Sequence, residues 1–314
     1  MELLKEILRA ESRIRPFIKH TPLERSLPLS RAAGAEVYLK MENLQHTGSF
    51  KARGAMNKML TLQPPEREKG VVAASTGNHG AAVAFAAGKL GIRSTVFVPT
   101  GASRTKVEAM QRLGAEVCFH GEDSLESEIH ARSFAEGNGQ TYISPYNDID
   151  VVAGQGTIGV EIAQDLAQVD RVFVSLGGGG MIAGIACYLK VINPGVRMVA
   201  CSPENSCVMI ESLKAGRILE MESKPTLSDG TAGGVEAGAI TFELCRDLID
   251  ECVLVSEEEI AAAMRSFIES HHLLIEGSAA VAVAALTKSG AGFRNNVVVL
   301  CGGNVSLATL KCIL

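Results

Sequence analysis

No block of lysine or arginine occurs in this sequence: 30 basic and 35 acidic residues are mixed along it and leave a net charge of −5. The electrostatic footprint that grips a phosphodiester backbone is therefore missing, and nucleic acid is not an expected partner. A membrane span is lacking as well. The longest weakly polar stretch, Gly277 to Leu286, is far short of the roughly 20 apolar residues that cross a bilayer. The first nine residues have neither the basic head nor the unbroken apolar stretch of a signal peptide. They place Leu4, Ile7 and Leu8 on one face of an amphipathic helix instead, and a cytoplasmic protein is expected. None of the eight cysteines forms a CxxC pair and most lie in apolar segments, which argues for a reduced compartment and against zinc. Long linkers, low-complexity tracts and internal repeats are also missing.

What is present describes a compact chain. Hydrophobic residues make up 46% and charged residues 21%, while 32 glycines without a fixed period indicate many tight turns. A chain of 314 residues is long for one ordinary core, so two lobes are expected. Short β-branched runs at 35–40, 70–74, 94–98, 116–120, 141–144, 171–175, 197–201, 251–256 and 296–301 alternate with alanine-rich helical stretches. That alternation predicts an α/β fold with parallel strands. Runs such as Val71-Val72-Ala73-Ala74 and Val297-Val298-Val299-Leu300 are apolar at consecutive positions, as in strands covered by helices on both faces. Residues 70–144 hold a self-contained series of strands and helices, read as a small domain inserted into a larger one made of 1–69 and 145–314. The turn composition at Tyr146-Asn147-Asp148, leading into Val151 to Gly156, marks the return to the larger domain.

Four glycine-punctuated segments carry candidate chemistry. Gly177-Gly178-Gly179-Gly180-Met181 follows a buried strand and precedes a helix expected from about Ile182, so its N–H groups can converge on a phosphate. A flexible turn would need only one or two glycines. A dinucleotide is disfavoured, because the run lies midway along the chain and Cys201 and Ser202 stand where an acidic residue should follow. Lys51, in Gly48-Ser49-Phe50-Lys51-Ala52-Arg53-Gly54, sits where a loop turns into a helix, and the neighbouring Arg53 is expected to lower its pKa. Alone, such a lysine would be a solvated surface charge. Ser75-Thr76-Gly77-Asn78-His79-Gly80 follows another buried strand and offers hydroxyls, an amide and free N–H groups to a carboxylate, beside the plainer role of a helix cap. Cys301-Gly302-Gly303-Asn304 places a thiol at the end of a third buried strand, where a core cysteine is the plain alternative.

With Ala153-Gly154-Gln155-Gly156-Thr157 and Ile275-Glu276-Gly277-Ser278, these segments resemble, in order and over nearly the whole chain, the fold type II pyridoxal-phosphate enzymes. The serine/threonine dehydratase and serine racemase branch is the most similar. The resemblance implies a tryptophan synthase beta-like fold of two open, mostly parallel twisted sheets with helices on both faces. It implies that Lys51 holds pyridoxal 5'-phosphate as a Schiff base, that Phe50 packs on its ring and that Asn78 bonds its 3'-hydroxyl. Gly177, Gly178, Gly179, Gly180 and the Met181 amide would hold the phosphate. Cys301 would face the pyridine nitrogen, Glu276 would lie near the ring without an assigned role, and Ser75, Thr76, Gly77, Asn78 and His79 would grip a substrate carboxylate. Lys51 would then act as base on the Cα proton of L-threonine or L-serine, with β-elimination to a 2-oxo acid and ammonia.

Thr76 stands where racemases of this branch carry serine and many dehydratases carry alanine. Its hydroxyl keeps racemisation of serine or another amino acid as the first alternative. A β-replacement enzyme such as a cysteine synthase and a non-enzymatic ligand-binding protein are the others. No metal is expected, because Ser202 and Val208 stand where the racemases' divalent-cation site would need carboxylates. The sequence stops at Leu314, so the resemblance implies neither a C-terminal regulatory domain nor isoleucine feedback. Tyr146 and the segment Ser228 to Gly234 are candidate pocket walls, and a homodimer is expected by resemblance.

Overall fold

The computed structural model describes residues 2–290 and 292–314. Along the chain, helix α1 (Glu2–Ile14) leads to strand β1 (Leu23–Arg25), α2 (Leu27–Ala33) and β2 (Glu36–Lys40). A short 3-10 turn (Glu42–Leu44) then precedes α3 (Lys51–Thr61) and α4 (Pro64–Lys69). There follow β3 (Val71–Ala74), α5 (Asn78–Leu90), β4 (Ser94–Val98), α6 (Arg104–Arg112), β5 (Glu116–Phe119), α7 (Ser124–Gly137) and β6 (Thr141–Tyr142). After α8 (Ile149–Asp165) come β7 (Arg171–Ser175), α9 (Gly180–Ile192), β8 (Arg197–Pro203), α10 (Val208–Ala215) and α11 (Ile240–Leu248). The chain ends with β9 (Glu251–Val255), α12 (Glu257–His271), α13 (Gly277–Ser289), β10 (Asn295–Val299) and α14 (Leu307–Ile313).

The strands form two sheets, a six-stranded one in the order β1-β2-β10-β7-β8-β9 and a four-stranded one in the order β5-β4-β3-β6. Every pairing is parallel except that of β1 with β2. The fully buried faces of β7 and β10 explain why their sequences are apolar at consecutive positions. Strand β1 escapes sequence reading because Leu23-Glu24-Arg25 has no apolar alternation; it is a three-residue antiparallel edge held by pairing with β2.

Each sheet has its own core. The first packs Val172, Phe173, Val297 and Val298 of the six-stranded sheet against Ile158, Ile182, Ile185 and Ala282 of α8, α9 and α13. The second packs Val71, Ala73 and Val96 against Val83 of α5 and also against Ala52, Ala55, Met56 and Met59 of α3. Helix α3 therefore shares an apolar core with the four-stranded sheet although its sequence precedes residue 70. Helix α1 buries Leu3, Ile7, Ala10 and Ile14, not the expected Leu4, Ile7 and Leu8; Leu8 is exposed. The buried stripe follows i, i+4, i+7 and i+11 spacing, which two adjacent leucines at the start conceal.

Local chemistry sets the helix starts. Asp148 caps α8 by accepting from Asp150 N at 2.8 Å and Val151 N at 3.2 Å. Ser256 and Glu259 cap each other's N–H groups at the head of α12. Gly154 in α8 permits contact with α3, since a Cβ there would lie 2.7 Å from the Arg53 carbonyl oxygen. Of the eight free cysteines, Cys201, Cys245 and Cys301 are buried, whereas Cys252 and Cys312 are exposed. No helix among the described residues is long and apolar enough to cross a membrane.

Candidate active site

The carboxyl ends of β3, β7 and β10 lead into Ser75–Asn78, Leu176–Gly180 and Leu300–Asn304, so the glycine-punctuated segments open where crevices form in α/β sheets. The lysine loop is zipped to the last of these. Phe50 N donates to the Cys301 carbonyl at 3.0 Å and Gly303 N to the Gly48 carbonyl at 2.9 Å, while Ser49 and Gly302 form an isolated antiparallel bridge. Lys51 is the first residue of α3, and its Nζ donates to the Pro145 carbonyl at 2.8 Å and lies 5.1 Å from the Phe50 ring centre. Burial brings its pKa down to about 8, against the opposing pull of Cys301 and Glu276.

Arg53 is not the cause expected from the sequence. Its guanidinium points away from Lys51 into a buried cluster with Glu42 and Glu161, because residues two apart on a helix face opposite sides.

Beside the lysine, Glu276 is buried as the residue preceding α13. It accepts from Asn78 Nδ2 at 2.8 Å and Asn304 N at 3.0 Å, and Asn304 Nδ2 donates to Asn78 Oδ1 at 2.7 Å. Burial, with Asp229 adding to it, lifts the Glu276 carboxyl to about 7, and the hydrogen bonds from Asn304 and Asn78 oppose the rise. The buried Cys301 thiol is pushed well above its ordinary value, first by burial and then by Glu276, so it is neutral at physiological pH. The segment Ser228 to Gly234 reaches the same place: a Cβ on Gly230 would lie 2.7 Å from Ser278 Oγ and 3.4 Å from Glu276 Oε1.

Two sets of main-chain donors lie at the neighbouring helix starts, after β7 and β3. In the tetraglycine loop, Gly179 takes φ +86° and α9 begins at Gly180, two residues earlier than expected. Among the described residues no oxygen accepts from the N–H groups of Gly178, Gly179, Gly180 or Met181, the pattern of an anion cradle at a helix N-terminus. A Cβ on Gly178 would overlap the Tyr146 ring, and the Tyr146 hydroxyl accepts from Glu236 N at 2.9 Å. At the start of α5, Ala81 N donates to the Gly77 carbonyl, and the N–H groups of Asn78, His79 and Gly80 have no acceptor among the described residues. Ser75 Oγ accepts from Gly77 N at 3.1 Å.

The His79 ring turns away from this opening. It is buried on the Ile143 carbonyl at 2.8 Å, and burial, with Lys51 nearby, brings its pKa down to about 3. A substrate contact by His79 would therefore come from its main-chain N–H. Thr76 is half-buried, and its side chain has no hydrogen-bond partner among the described residues. Ser202 donates to the Leu176 carbonyl at 2.8 Å. Two features escaped sequence reading. The Pro145 carbonyl acts through the main chain and leaves no side-chain signal, and the Arg53 cluster joins segments more than a hundred residues apart.

This combination of lysine, anion cradle and neutral thiol on an α/β frame defines a class. The chain matches the family described as pyridoxal-phosphate dependent enzyme over residues 14–302, and it belongs to that family. It is 43% identical over 308 residues to an L-threonine ammonia-lyase of Thermotoga maritima, covering 98% of this chain and 77% of that protein. Its fold superposes on the processed form of threonine deaminase isoform 2 from Solanum lycopersicum with a TM-score of 0.94 and 34% identity, covering 99% of this chain and 86% of that one. A maize serine racemase superposes with a TM-score of 0.93 and 32% identity, over 98% and 95% of the two chains. The resemblance read from the motifs and the expected α/β class of two mostly parallel sheets are both borne out.

Pyridoxal phosphate is the cofactor of this family, and the residues present fit it. An enclosed amine of lowered pKa, a row of unpaired N–H groups on glycine and the partnerless buried hydroxyl of Ser49 are groups that an aldehyde with a phosphate arm can use.

Proposed function

We propose that this chain is a pyridoxal-phosphate-dependent ammonia-lyase acting on L-threonine and L-serine, with a 2-oxo acid and ammonia as products. The observation that carries the reading is Lys51 itself, with its amine enclosed beside the Cys301 loop, its pKa brought down to about 8 and the empty N–H row of the tetraglycine loop nearby. Likeness to an L-threonine ammonia-lyase and a threonine deaminase supports the choice of reaction.

When bound, pyridoxal phosphate supplies an electron sink for the Cα–H bond of an amino acid. The chain's residues then divide the work. Lys51 holds the cofactor and moves the Cα proton, an exchange that its lowered pKa allows near neutral pH. Phe50 backs the ring, and the N–H groups from Gly177 to Met181 hold the phosphate. Cys301, a neutral thiol, faces the ring nitrogen without adding charge. Asn78, fixed by Glu276 and Asn304, presents its second amide hydrogen to the 3'-hydroxyl. The free N–H groups at the head of α5, with Ser75, Thr76 and Gly77, bind the substrate carboxylate.

A racemase reading is the second, favoured by the half-buried Thr76, whose side chain has no hydrogen-bond partner among the described residues. One panel tests both. L-threonine, L-serine and 3-hydroxyaspartate are scored for 2-oxo acid, ammonia and D-amino acid, with L-serine repeated in deuterated water. Absence of 2-oxo acid from every substrate overturns the lyase reading, and absence of D-serine removes the racemase.

The division into 1–69 with 145–314 and 70–144 is supported by the two sheets, with α3 lending its apolar face to the smaller one. A homodimer and a cytoplasmic location complete the reading, the latter supported by the eight unpaired cysteines.

A further inference from the structure

Helix α3 begins without a capping side chain: Phe50, in the cap position, takes φ −58° and ψ −22° and supplies no side-chain hydrogen bond. Its apolar residues belong to the core of the four-stranded sheet. Main-chain bonds from Phe50 and Gly48 to the Cys301 loop tie the residues before the helix to the six-stranded sheet, and within the first turn itself the tie is made by a side chain.

Arg53, two residues after Lys51, is 1% exposed and spends all five guanidinium hydrogens. Nε and Nη2 form a fork on Glu42, both at 2.8 Å, and Nη1 and Nη2 form a second fork on Glu161, also both at 2.8 Å, with Thr157 Oγ1 at 3.1 Å from Nη1. Lys40 Nζ closes the cluster at 2.6 Å from Glu161 and 2.6 Å from the Thr21 carbonyl. The buried Arg53 and Lys40 thus sit on the buried Glu42 and Glu161, with Arg15 3.5 Å from Glu161 and Asp165 3.8 Å from Lys40 at the more exposed rim. Glu42 and Lys40 come from the end of β2 and the turn after it, and Glu161 from α8. Burial alone would raise the Glu161 carboxyl, but Arg53 and Lys40 outweigh it and carry it down to about 2, so Glu161 is ionised at neutral pH.

We propose that Arg53, locked between Glu42 and Glu161, is the positioning residue for Lys51, tying the lysine-bearing turn of α3 to the six-stranded sheet independently of the core that α3 shares with the four-stranded sheet. A bidentate guanidinium fixes direction as well as distance, which a lysine cannot do. A lysine amine displaced by about 1 Å can cost on the order of a hundredfold in rate with little effect on substrate binding. This inference rests on the reading of Lys51 as the cofactor-bearing lysine.

The test uses the holoenzyme and Arg53→Lys, which keeps the charge and loses both forks. Borohydride reduction followed by peptide mass analysis first locates the cofactor in the unmodified protein; a label elsewhere than Lys51 overturns the reading of the site, not merely the inference. With Lys51 labelled, Arg53→Lys is expected to keep its cofactor and lose at least half of the visible circular-dichroism band without substrate. Its kcat on L-threonine is expected to fall about 10- to 100-fold with KM within about threefold. A folded variant with an unchanged band and kcat overturns the proposal, as does a rise in KM at constant kcat. If Arg53→Lys does not fold, Glu42→Gln, which weakens one fork, is expected to shift band and kcat in the same direction by a smaller factor, and no shift overturns the proposal.

Discussion

Asn78 Nδ2 donates to Glu276 Oε1 at 2.8 Å, so the amide at the head of α5 is oriented by a buried carboxyl nearly two hundred residues away. That carboxyl has a folded-state pKa of about 7 against 4.5 for a free glutamate. A raised carboxyl binds its proton more tightly in the folded chain, so its stabilising contribution is full below 4.5 and is lost as pH rises through 7. Thermal midpoints of the cofactor-free protein are expected to carry this loss openly from pH 6.5 to 8, above the range in which His79 titrates in the opposite sense, and Glu276→Gln is expected to remove that component. An unchanged slope in Glu276→Gln would assign the titration elsewhere.

Lys51→Ala removes the enclosed amine and leaves the Pro145 carbonyl to water. Loss of a general base in such a position lowers rate by about 10² to 10⁴-fold. Formation of 2-oxobutyrate from L-threonine is expected to fall by at least that factor, and borohydride is no longer expected to attach the cofactor to the chain. Retention of more than a tenth of the rate would show that another group takes the Cα proton.

Gly178→Ala tests the phosphate loop through packing, since its Cβ would overlap the Tyr146 ring, whose hydroxyl is anchored on Glu236 N. Overpacking of this kind costs about 1–3 kcal/mol. A lowered thermal midpoint and at least a tenfold weaker affinity for pyridoxal phosphate are expected, both partly restored by Tyr146→Ala in the same chain. Unchanged affinity would place the phosphate away from this loop.

The Ser75–His79, tetraglycine and Cys301 loops were legible because each sits at a strand end, where glycine and small polar residues break an apolar run that sequence shows directly. Lys51 follows a 3-10 turn and not a strand, and could be named only from its order beside those loops. Their surroundings could not. Arg53 looked like a charge beside Lys51 because sequence gives adjacency and not direction, and the helix turned it to the far side onto Glu42 and Glu161. The amphipathic face of α1 was misjudged because Leu3, Leu4, Ile7 and Leu8 satisfy two overlapping stripes, and only packing against α8 selects Leu3 and Ile7. His79 was read as a polar group of the carboxylate loop, although its ring is committed to Ile143.

Removing one member of the buried cluster tests its energetics. Arg53→Met leaves Glu42 and Glu161 facing each other without their shared cation, and breaking a buried ionic set in this way costs about 3–5 kcal/mol. Urea unfolding is expected to show that loss. Arg53→Met with Glu42→Gln is expected to recover part of it, since Lys40 still pairs with Glu161 and no uncompensated carboxylate remains. A single variant within 1 kcal/mol of the parent, about the size of an exposed pair, would mean that water replaces the guanidinium.

His79 and Glu276 titrate against each other over an overlapping range. The His79 ring has a folded-state pKa of about 3 against 6.5 for a free histidine, so between these values the unfolded chain binds the proton and the folded chain does not. Its contribution is present above 6.5 and is lost as pH falls toward 3, opposite in sign to that of Glu276. Between 4.5 and 6.5 the two slopes offset each other, and the parent protein is expected to show a flatter profile there than either variant. His79→Gln, which keeps a donor for the Ile143 carbonyl, is expected to become more stable as pH falls from 6.5 to 4.5, because the Glu276 term is then unopposed. Glu276→Gln is expected to lose stability over the same interval. Parallel profiles for the two variants would refute the opposed titration.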